Sequence, residues 1–224
     1  MTFLFSLFLF TASIYANESK FNLVNISGAQ SKNILSVTTD QDNFIWVGTD
    51  QGLIQFDGIE SDIFRSNPFS ATSLSGNRIW FLDNYSNDTL IVISDDAIHL
   101  YSKKSYQFEK FNIGSRPTNY FKEDGEIWIS GGTIIDRFDE ATQTWLSPID
   151  ISDYVSNPFE ITSFVQDSDG WVWVGTINSG ILRLDNTDAS YMGTVQGIAS
   201  NAVKSMSHDS YTEILVVGHF EDGL

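Results

Sequence analysis

One stretch of the chain occurs twice, and this internal repeat restricts the fold more than any other feature. The first copy, at residues 44–58, reads FIWVGTDQGLIQFDG, and the second, at residues 171–186, reads WVWVGTINSGILRLDN. Both keep the order Trp-Val-Gly-Thr, and their tryptophans, Trp46 and Trp173, lie 127 residues apart. That distance is about three times the period of roughly 40–45 residues that is typical of propeller blades. Two further copies are therefore expected between them.

Weaker copies do lie between the two strong ones. Residues 90–101 (LIVISDDAIHLY) place Ile91 at the tryptophan position, and residues 127–139 (IWISGGTIIDRFD) place Trp128 there. A fifth copy, LVVGHFEDGL, begins at Leu215. The equivalent positions 46, 91, 128, 173 and 216 are spaced by 45, 37, 45 and 43 residues. The chain is therefore interpreted as an array of repeated units.

Each unit contains short apolar runs separated by turn residues, without a sustained helical period. The second and third runs are apolar at consecutive positions, as expected for strands whose sheet is covered on both faces. Four such strands per unit predict an all-β fold of four-stranded antiparallel β-propeller blades, present as an incomplete propeller. A solenoid of stacked sheets is the structural alternative. Trp46, Trp128 and Trp173 are predicted to be structural core residues wedged between neighbouring blades.

The two ends of the chain are interpreted separately from the array. Residues 1–16 are apolar and uncharged, too short to span a bilayer, and are predicted to be a signal peptide for export to the periplasm. Residues 17–32 are predicted to be a lead-in strand that completes a missing last blade. Residues 33–224 are predicted to form blades one to four and the start of a fifth. The chain is accordingly expected to be a fragment of a longer protein.

Charge and residue types exclude several classes of function. The chain has 29 acidic and 12 basic residues and a formal net charge of −17, so we expect no nucleic-acid partner. It has no cysteine, and its three histidines match no metal or catalytic spacing. We therefore predict no catalytic residues, no metal site and no cofactor. The motifs DQDN and DSDG are interpreted as turns between strands, without calcium.

The loops at one axial end of the blades are the predicted ligand-binding region, because loops on a rigid scaffold commonly carry function. These loops join the second strand to the third and each blade to the next. The candidate ligand-binding residues are Asp50, Gln51, Asn77, Asn178, Asn201 and Glu221. Arg78 and Arg183 are expected to pair with acidic neighbours. The adjacent pair Asp95 and Asp96 suggests an acid and base, but no partner for it is evident.

The repeat resembles the two-component regulator propeller repeats of bacterial sensor proteins. The residues that carry the resemblance are DSDGWVWVGTINSGILRLD in the fourth unit and the connection NPFSATSLSGNRI at residues 67–79. Units two and three depart from the pattern, with Ile91 in place of tryptophan and Ile93 and Ser130 in place of glycine. The resemblance implies an exported ligand-sensing propeller with carbohydrate-type ligands. It also implies a following membrane helix and an effector, either a histidine kinase or a diguanylate cyclase, in the inner membrane.

The function expected from the sequence is therefore that of a non-catalytic, extracytoplasmic ligand-sensing propeller in bacterial signal transduction. Its expected partners are a small molecule, the protein's own membrane and effector regions, and a second copy in a homodimer. Two alternatives remain open at this point. One is a catalytic propeller of the glycosidase or lyase type, and the other is a scaffold for protein interactions.

Overall fold

The computed structural model describes residues 25–29, 32–123, 125–155, 160–185, 191–194 and 200–220. The predicted signal peptide, residues 17–24 of the lead-in strand, and Glu221 lie outside these residues. Within the described part of the chain, no helix is both long enough and apolar enough to cross a bilayer.

The described chain folds into antiparallel sheets that follow one another along the sequence, which confirms the all-β prediction. The first sheet contains β1 (Ile34–Thr39), β2 (Ile45–Thr49), β3 (Gly52–Phe56) and β4 (Ser61–Phe64). The second contains β5 (Ile79–Ser86), β6 (Thr89–Ser94), β7 (Ala97–Ser102) and β8 (Gln107–Asn112). In both, neighbours in sequence are neighbours in the sheet.

The third sheet contains β9 (Asn119–Glu123), β10 (Glu126–Gly131), β11 (Ile134–Asp139), β12 (Thr144–Trp145) and β13 (Ile149–Asp150). The fourth contains β14 (Ile161–Gln166), β15 (Val172–Thr176), β16 (Ile181–Leu184) and β17 (Tyr191–Thr194). A fifth sheet contains β18 (Val203–Asp209) and β19 (Ile214–His219). We call the first four sheets blades one to four. In blade three the two short strands β12 and β13 both pair with β11, where the other blades have one fourth strand.

The first strand of each sheet lies on the inner side of the array. Strand β1 adjoins β5, β9 adjoins β14, and β14 adjoins β18. Side chains join these inner strands directly: Asn84 donates to the Thr39 carbonyl at 2.9 Å, and the Tyr120 hydroxyl donates to Asp83 Oδ2 at 2.7 Å. Successive strands of a blade therefore run from the inner side of the array to its periphery, as in a propeller.

The hydrophobic core lies between neighbouring blades, and β6 shows why its sequence is apolar at consecutive positions. Because successive side chains of a strand point to opposite faces, Leu90 and Val92 pack towards blade one, whereas Ile91 and Ile93 pack towards blade three. All four are fully buried. A third cluster, containing Trp128, fills the space between blades three and four. Both faces of β6 are therefore covered, as its apolar run predicts.

An aspartate holds the tryptophan of the second strand in blades one and four. Asp40 Oδ1 accepts the backbone N–H groups of Asp42 and Phe44, and its Oδ2 accepts the indole N–H of Trp46 at 2.9 Å. In blade four, Asp167 binds the indole N–H of Trp173 at 2.7 Å. The DQDN and DSDG segments do form turns, as predicted, but the same carboxylate also satisfies a buried indole. Sequence reasoning missed this second role.

The three tryptophans differ in burial. Trp46 is fully buried and Trp128 is 2% exposed, whereas Trp173 is only partly buried. Trp46 is covered by Tyr101 from the third strand of the next blade, with ring centroids 5.4 Å apart. Trp173 instead lines a cavity of about 300 Å³ beside His208 and Leu215 of the fifth sheet. In the described residues that sheet has two strands, so no third strand covers Trp173.

Candidate functional site

The turns between the second and third strands are closed by a hydroxyl group. Thr49 Oγ1 donates to the Gly52 carbonyl at 2.7 Å, and Thr176 Oγ1 donates to the Gly180 carbonyl at 2.8 Å. Gly52 has a φ of 130°, which side chains rarely adopt, so glycine is required there. The Thr-to-Gly segment of the repeat therefore builds a rigid turn at the axial end of its blade.

The predicted residues Asp50 and Asn77 lie at this axial end and bind the connections between blades. Asp50 accepts hydrogen bonds from the backbone N–H of Asn33 at 3.2 Å and from its side-chain amide at 2.9 Å. Asn77 Oδ1 accepts the backbone N–H of Ser66 at 2.8 Å. Both side chains therefore form hydrogen bonds that hold neighbouring loops in place. A ligand at this end would contact them as parts of these loops.

The other predicted residues make fewer side-chain contacts. Gln51 is exposed, and its carbonyl accepts a hydrogen bond from Arg65 at 3.3 Å. Asn178 is exposed, and among the described residues its side chain bonds the neighbouring Ser179 hydroxyl, at 3.3 Å. Asn201 is exposed, and its carbonyl accepts the Gly180 N–H at 3.0 Å. Glu221 is outside the described residues.

A cluster that sequence reasoning did not identify lies at the same axial end between blades two and three. We call it the arginine–tryptophan cluster, and it consists of Arg78, Trp80, Asp95 and Arg116. Asp95, in the turn between β6 and β7, accepts the indole N–H of Trp80 at 2.7 Å. The guanidinium carbon of Arg116, in the connection from β8 to β9, lies 4.5 Å from the centroid of the Trp80 ring. The corresponding distance for Arg78 is 5.5 Å.

The expectation that Arg78 and Arg183 pair with acidic neighbours is wrong in the described part of the chain. No described carboxylate lies within 4.0 Å of either guanidinium. Both arginines instead stack on tryptophans, Arg183 at 4.4 Å from the ring centroid of Trp171. The reason is that Arg78 directly precedes the strand that bears Trp80 and Arg183 lies on a strand that pairs with one bearing tryptophan, and a guanidinium is readily attracted to an indole face.

A β-bulge places Trp80 at the start of its strand. The pairing of β5 with β6 skips one residue between Ile79 and Phe81, so Trp80 has no partner across the ladder. The same irregularity occurs at the start of β1, β14 and β18. Extra residues of this kind re-aim a side chain at the rim of a sheet. The only sequence signal for the cluster was the string NRIW, in which a tryptophan follows an arginine by two positions.

Ser75, in the connection that leads into blade two, contacts both Asp96 and His99 of that blade. His99 Nε2 accepts the backbone N–H of Ser75 at 3.1 Å, and its Nδ1 lies 3.2 Å from the Val92 carbonyl. Burial lowers the pKa of His99 to about 4, so the ring is neutral at pH 7. The Ser75 hydroxyl donates to Asp96 at 2.7 Å. The same hydroxyl lies 3.0 Å from His99 Nε2. Ser75 therefore contacts both the carboxylate and the imidazole, and among the described residues no hydrogen bond joins Asp96 to the ring.

The carboxyl group of Asp96 serves to hold the connection between blades one and two. Burial alone would raise its pKa, but hydrogen bonds from Ser75 and Ser94 and the ammonium of Lys110 hold the pKa below its usual value. Lys110 Nζ lies 3.3 Å from Asp96 Oδ2. The adjacent residue Asp95 belongs to the arginine–tryptophan cluster instead. The two neighbouring aspartates thus have separate partners.

One cavity lies away from the axial end. It has a volume of about 560 Å³ and is lined largely by the outer part of blade two, including Gln107, Glu109 and Lys110. Half of its lining residues are exposed polar ones, so it differs from the predominantly apolar lining with a few convergent polar groups that is typical of ligand sites. Among the described residues, no group of three or more potential ligands is arranged to hold a metal ion.

Two segments of the chain match the sequence profile of the family described as two component regulator propeller, at residues 28–51 and 155–178. They cover the first two strands of blade one and of blade four. The Histidine kinase P4 of Formosa agariphila is 35% identical to this chain over 77 residues. That match covers 32% of this chain and 6% of the kinase.

Solved structures with the same fold include an extracellular domain assigned to the hybrid two component systems of B. thetaiotaomicron. It has a TM-score of 0.66 at 17% identity, over 86% of this chain and 29% of that one. Virginiamycin B lyase from Staphylococcus aureus has a TM-score of 0.64 at 12% identity, over 87% of this chain and 65% of the lyase. At these identities the likeness shows the propeller fold alone. The chain spans less than a third of the length of that extracellular domain.

Proposed function

Because the chain carries two-component regulator propeller repeats, we propose that it is the ligand-binding propeller region of a bacterial signalling protein and lies outside the cytoplasm. The observation that carries this proposal is the pair of matched segments in blades one and four. The kinase of Formosa agariphila and the extracellular domain from B. thetaiotaomicron are consistent with it, since both belong to signalling proteins. The proposed location, the periplasm, also agrees with the apolar residues 1–16.

The ligand of this region is proposed to bind at the axial end, where loops from neighbouring blades converge. Asp50 and Asn33 join a turn to a connection in blade one, and Asp95 contacts Arg116 from the connection between blades two and three at 3.7 Å. A ligand that contacts such loops favours one arrangement of two blades over another, and thereby shifts the relative populations of two states. The change would pass to the rest of the protein through the packed interfaces between blades.

The effector is proposed to lie in a longer protein of which this chain is a part. A histidine kinase and a diguanylate cyclase are the two effectors that the repeat implies, with a membrane helix between propeller and effector. The region itself is proposed to be non-catalytic. The partners of Asp96 and His99 support this, because the carboxylate accepts a hydrogen bond from the serine and His99 Nδ1 faces the Val92 carbonyl, whereas in a Ser-His-Asp triad the carboxylate binds the imidazole.

A binding screen on the chain tests the proposal. Neutral and acidic mono- and oligosaccharides, amino acids and nucleosides would be added to the 224-residue chain, and its thermal unfolding would be followed. A ligand present at a hundred times its Kd stabilises the folded state by about 2.7 kcal/mol, so it raises the unfolding temperature measurably. Protease treatment of intact spheroplasts, which should digest the propeller of the full-length protein, tests its location. Absence of any stabilising compound, or protection of the propeller from protease, would contradict the proposal.

A further inference from the structure

The arginine–tryptophan cluster is a local excess of positive charge on a strongly acidic chain. The chain has 29 acidic and 12 basic residues, yet the cluster contains two guanidinium groups and one carboxylate. Arg78 is exposed, and no described carboxylate lies within 4.0 Å of it. The side chain of Arg116 is 59% exposed. Two arginines that remain accessible on such a surface have few acidic partners in the described chain to neutralise them.

The carboxylate of the cluster binds the indole more closely than it binds the arginine. Asp95 Oδ1 lies 2.7 Å from Trp80 Nε1 but 3.7 Å from Arg116 Nε, beyond ordinary hydrogen-bond distance. Among the described residues, the terminal nitrogens of Arg116 make no hydrogen bond. Asp95 therefore orients the indole and holds the Nε side of the guanidinium, while the two terminal nitrogens remain available.

The indole holds the arginine in place before any ligand binds. With the guanidinium carbon 4.5 Å from the ring centroid, Arg116 stacks on Trp80, and stacking limits the freedom of a long side chain. Trp80 is itself fixed by the bulge of β5 and by Asp95. A planar guanidinium with two free terminal nitrogens matches a carboxylate or sulfate group, which it binds through two parallel hydrogen bonds. Less freedom is then lost on binding.

We propose that Arg116 and Arg78 bind an oxyanion, a carboxylate or a sulfate, carried by the ligand of the axial end. This inference rests on the proposed function and adds the charge of its ligand. Arg116 supplies the oriented pair of donors. Arg78, the first of the cluster residues along the chain, supplies a second positive charge. Asp95 lies in blade two, whereas Arg78 and Arg116 lie in the connections before and after that blade, so an oxyanion bound here joins the two connections that link blade two to its neighbours.

Isothermal titration of the 224-residue chain with three matched trisaccharides tests the proposal. The probes are galacturonic acid trimer, galactose trimer sulfated at the 6-positions, and neutral galactotriose. We expect one or both acidic probes to bind, with an affinity that falls as salt is raised. The double variant Arg78→Ala/Arg116→Ala should weaken that binding by about tenfold or more, as expected for lost charge-assisted hydrogen bonds. Binding of only one acidic probe identifies carboxylate or sulfate as the group that is recognised.

The matched control is Arg183→Ala. Arg183 also stacks on a tryptophan, Trp171, at 4.4 Å, but its partner across the ladder is Trp173, near the opposite end of blade four. This variant should leave the affinity unchanged. Binding of the neutral probe in preference to both acidic ones would overturn the inference and leave the proposed function standing. Acidic binding that the double variant does not weaken, or no binding by either acidic probe, also overturns the inference, whereas a broad screen without any ligand counts against both.

Discussion

Blades one and four anchor the tryptophan of their second strand on an aspartate, whereas blades two and three use other contacts at that position. In blade two the position belongs to Ile91, which packs in the cluster between blades two and three together with Phe138 of blade three. In blade three Trp128 lies beneath Arg137, whose guanidinium carbon is 4.6 Å from the ring centroid. The equivalent position of the repeat is therefore occupied in three ways: by a tryptophan bound to an aspartate, by an isoleucine, and by a tryptophan beneath an arginine.

The comparison shows where the repeat is free to change. Blades one and four match the family profile and carry loops whose side chains mainly fasten other loops. Blades two and three lie between the matched segments, and they hold both the buried His99 and the arginine–tryptophan cluster. A propeller core tolerates exchange of one large side chain for several smaller ones when volume is kept. Departure from the repeat therefore coincides here with the residues proposed to bind ligand.

The largest expected effect is loss of an anchored tryptophan. Trp46→Ala should reduce the free energy of unfolding by about 3–5 kcal/mol, because loss of a fully buried indole leaves a cavity and removes one hydrogen-bond donor from Asp40. Trp173→Ala should cost less, since Trp173 is only partly buried. Urea titration of both variants measures the difference. Equal losses, or a greater loss for Trp173, would show that the two anchors are not distinguished by burial.

The next effect concerns blade two and is a dependence on pH. Because the pKa of His99 is about 4 in the folded chain and near 6.5 when unfolded, the unfolded chain takes up a proton between these values that the folded chain does not. Stability contributed by neutral His99 is therefore complete above pH 6.5 and falls as pH falls to 4, by about 3 kcal/mol in total.

Urea titrations at pH 7, 5.5 and 4.5 should follow this decline, and His99→Asn, which cannot titrate, should flatten it. The carboxyl groups of Asp40 and Asp96 act in a lower window, because their folded pKa values lie below 3.8. An unchanged slope in His99→Asn would assign the pH dependence to other groups.

A smaller effect is expected from the aspartate of the anchor. Asp40→Asn should destabilise the chain by about 1–3 kcal/mol, because the side chain is 1% exposed and binds both Trp46 and Lys103 Nζ, the latter at 3.1 Å. Lys103 would then keep only the exposed Asp42. Asp88→Asn is the control, since Asp88 forms an ion pair with Lys104 that is exposed on both sides and should contribute little. Similar losses of unfolding free energy in the two variants would show that Asp40 stabilises the chain no more than an exposed ion pair does.

The smallest effects are expected at the predicted loop residues. Asn178→Ala should change the free energy of unfolding by less than about 0.5 kcal/mol, because its side chain is exposed and, among the described residues, bonds Ser179. Asn77→Ala should cost about 1 kcal/mol, since it leaves the Ser66 N–H without its acceptor. Thermal unfolding of the two variants orders them. The reverse order would mean that the connection before blade two is not held by Asn77.

The sequence by itself determined the blade architecture, because the repeat spacing, the apolar runs and the turn residues are all local or periodic signals. The register of β2 with β3 and the Gly52 turn follow from them directly. The apolar run of the second strand was enough to locate units two and three despite Ile91. A blade that packs between two others must have apolar side chains on both faces of that strand. What the loop side chains bind could not be predicted in this way.

Only the tertiary structure decided which residues from different units meet. Arg78, Asp95 and Arg116 are spread over 39 sequence positions, and no periodic pattern links them. The second role of Asp40 was likewise hidden, because a turn motif explains the aspartate completely until the indole is seen beside it. Pairings of this kind depend on the distance between loops after the blades have packed, and that distance is set by the interfaces between sheets rather than by spacing along the chain.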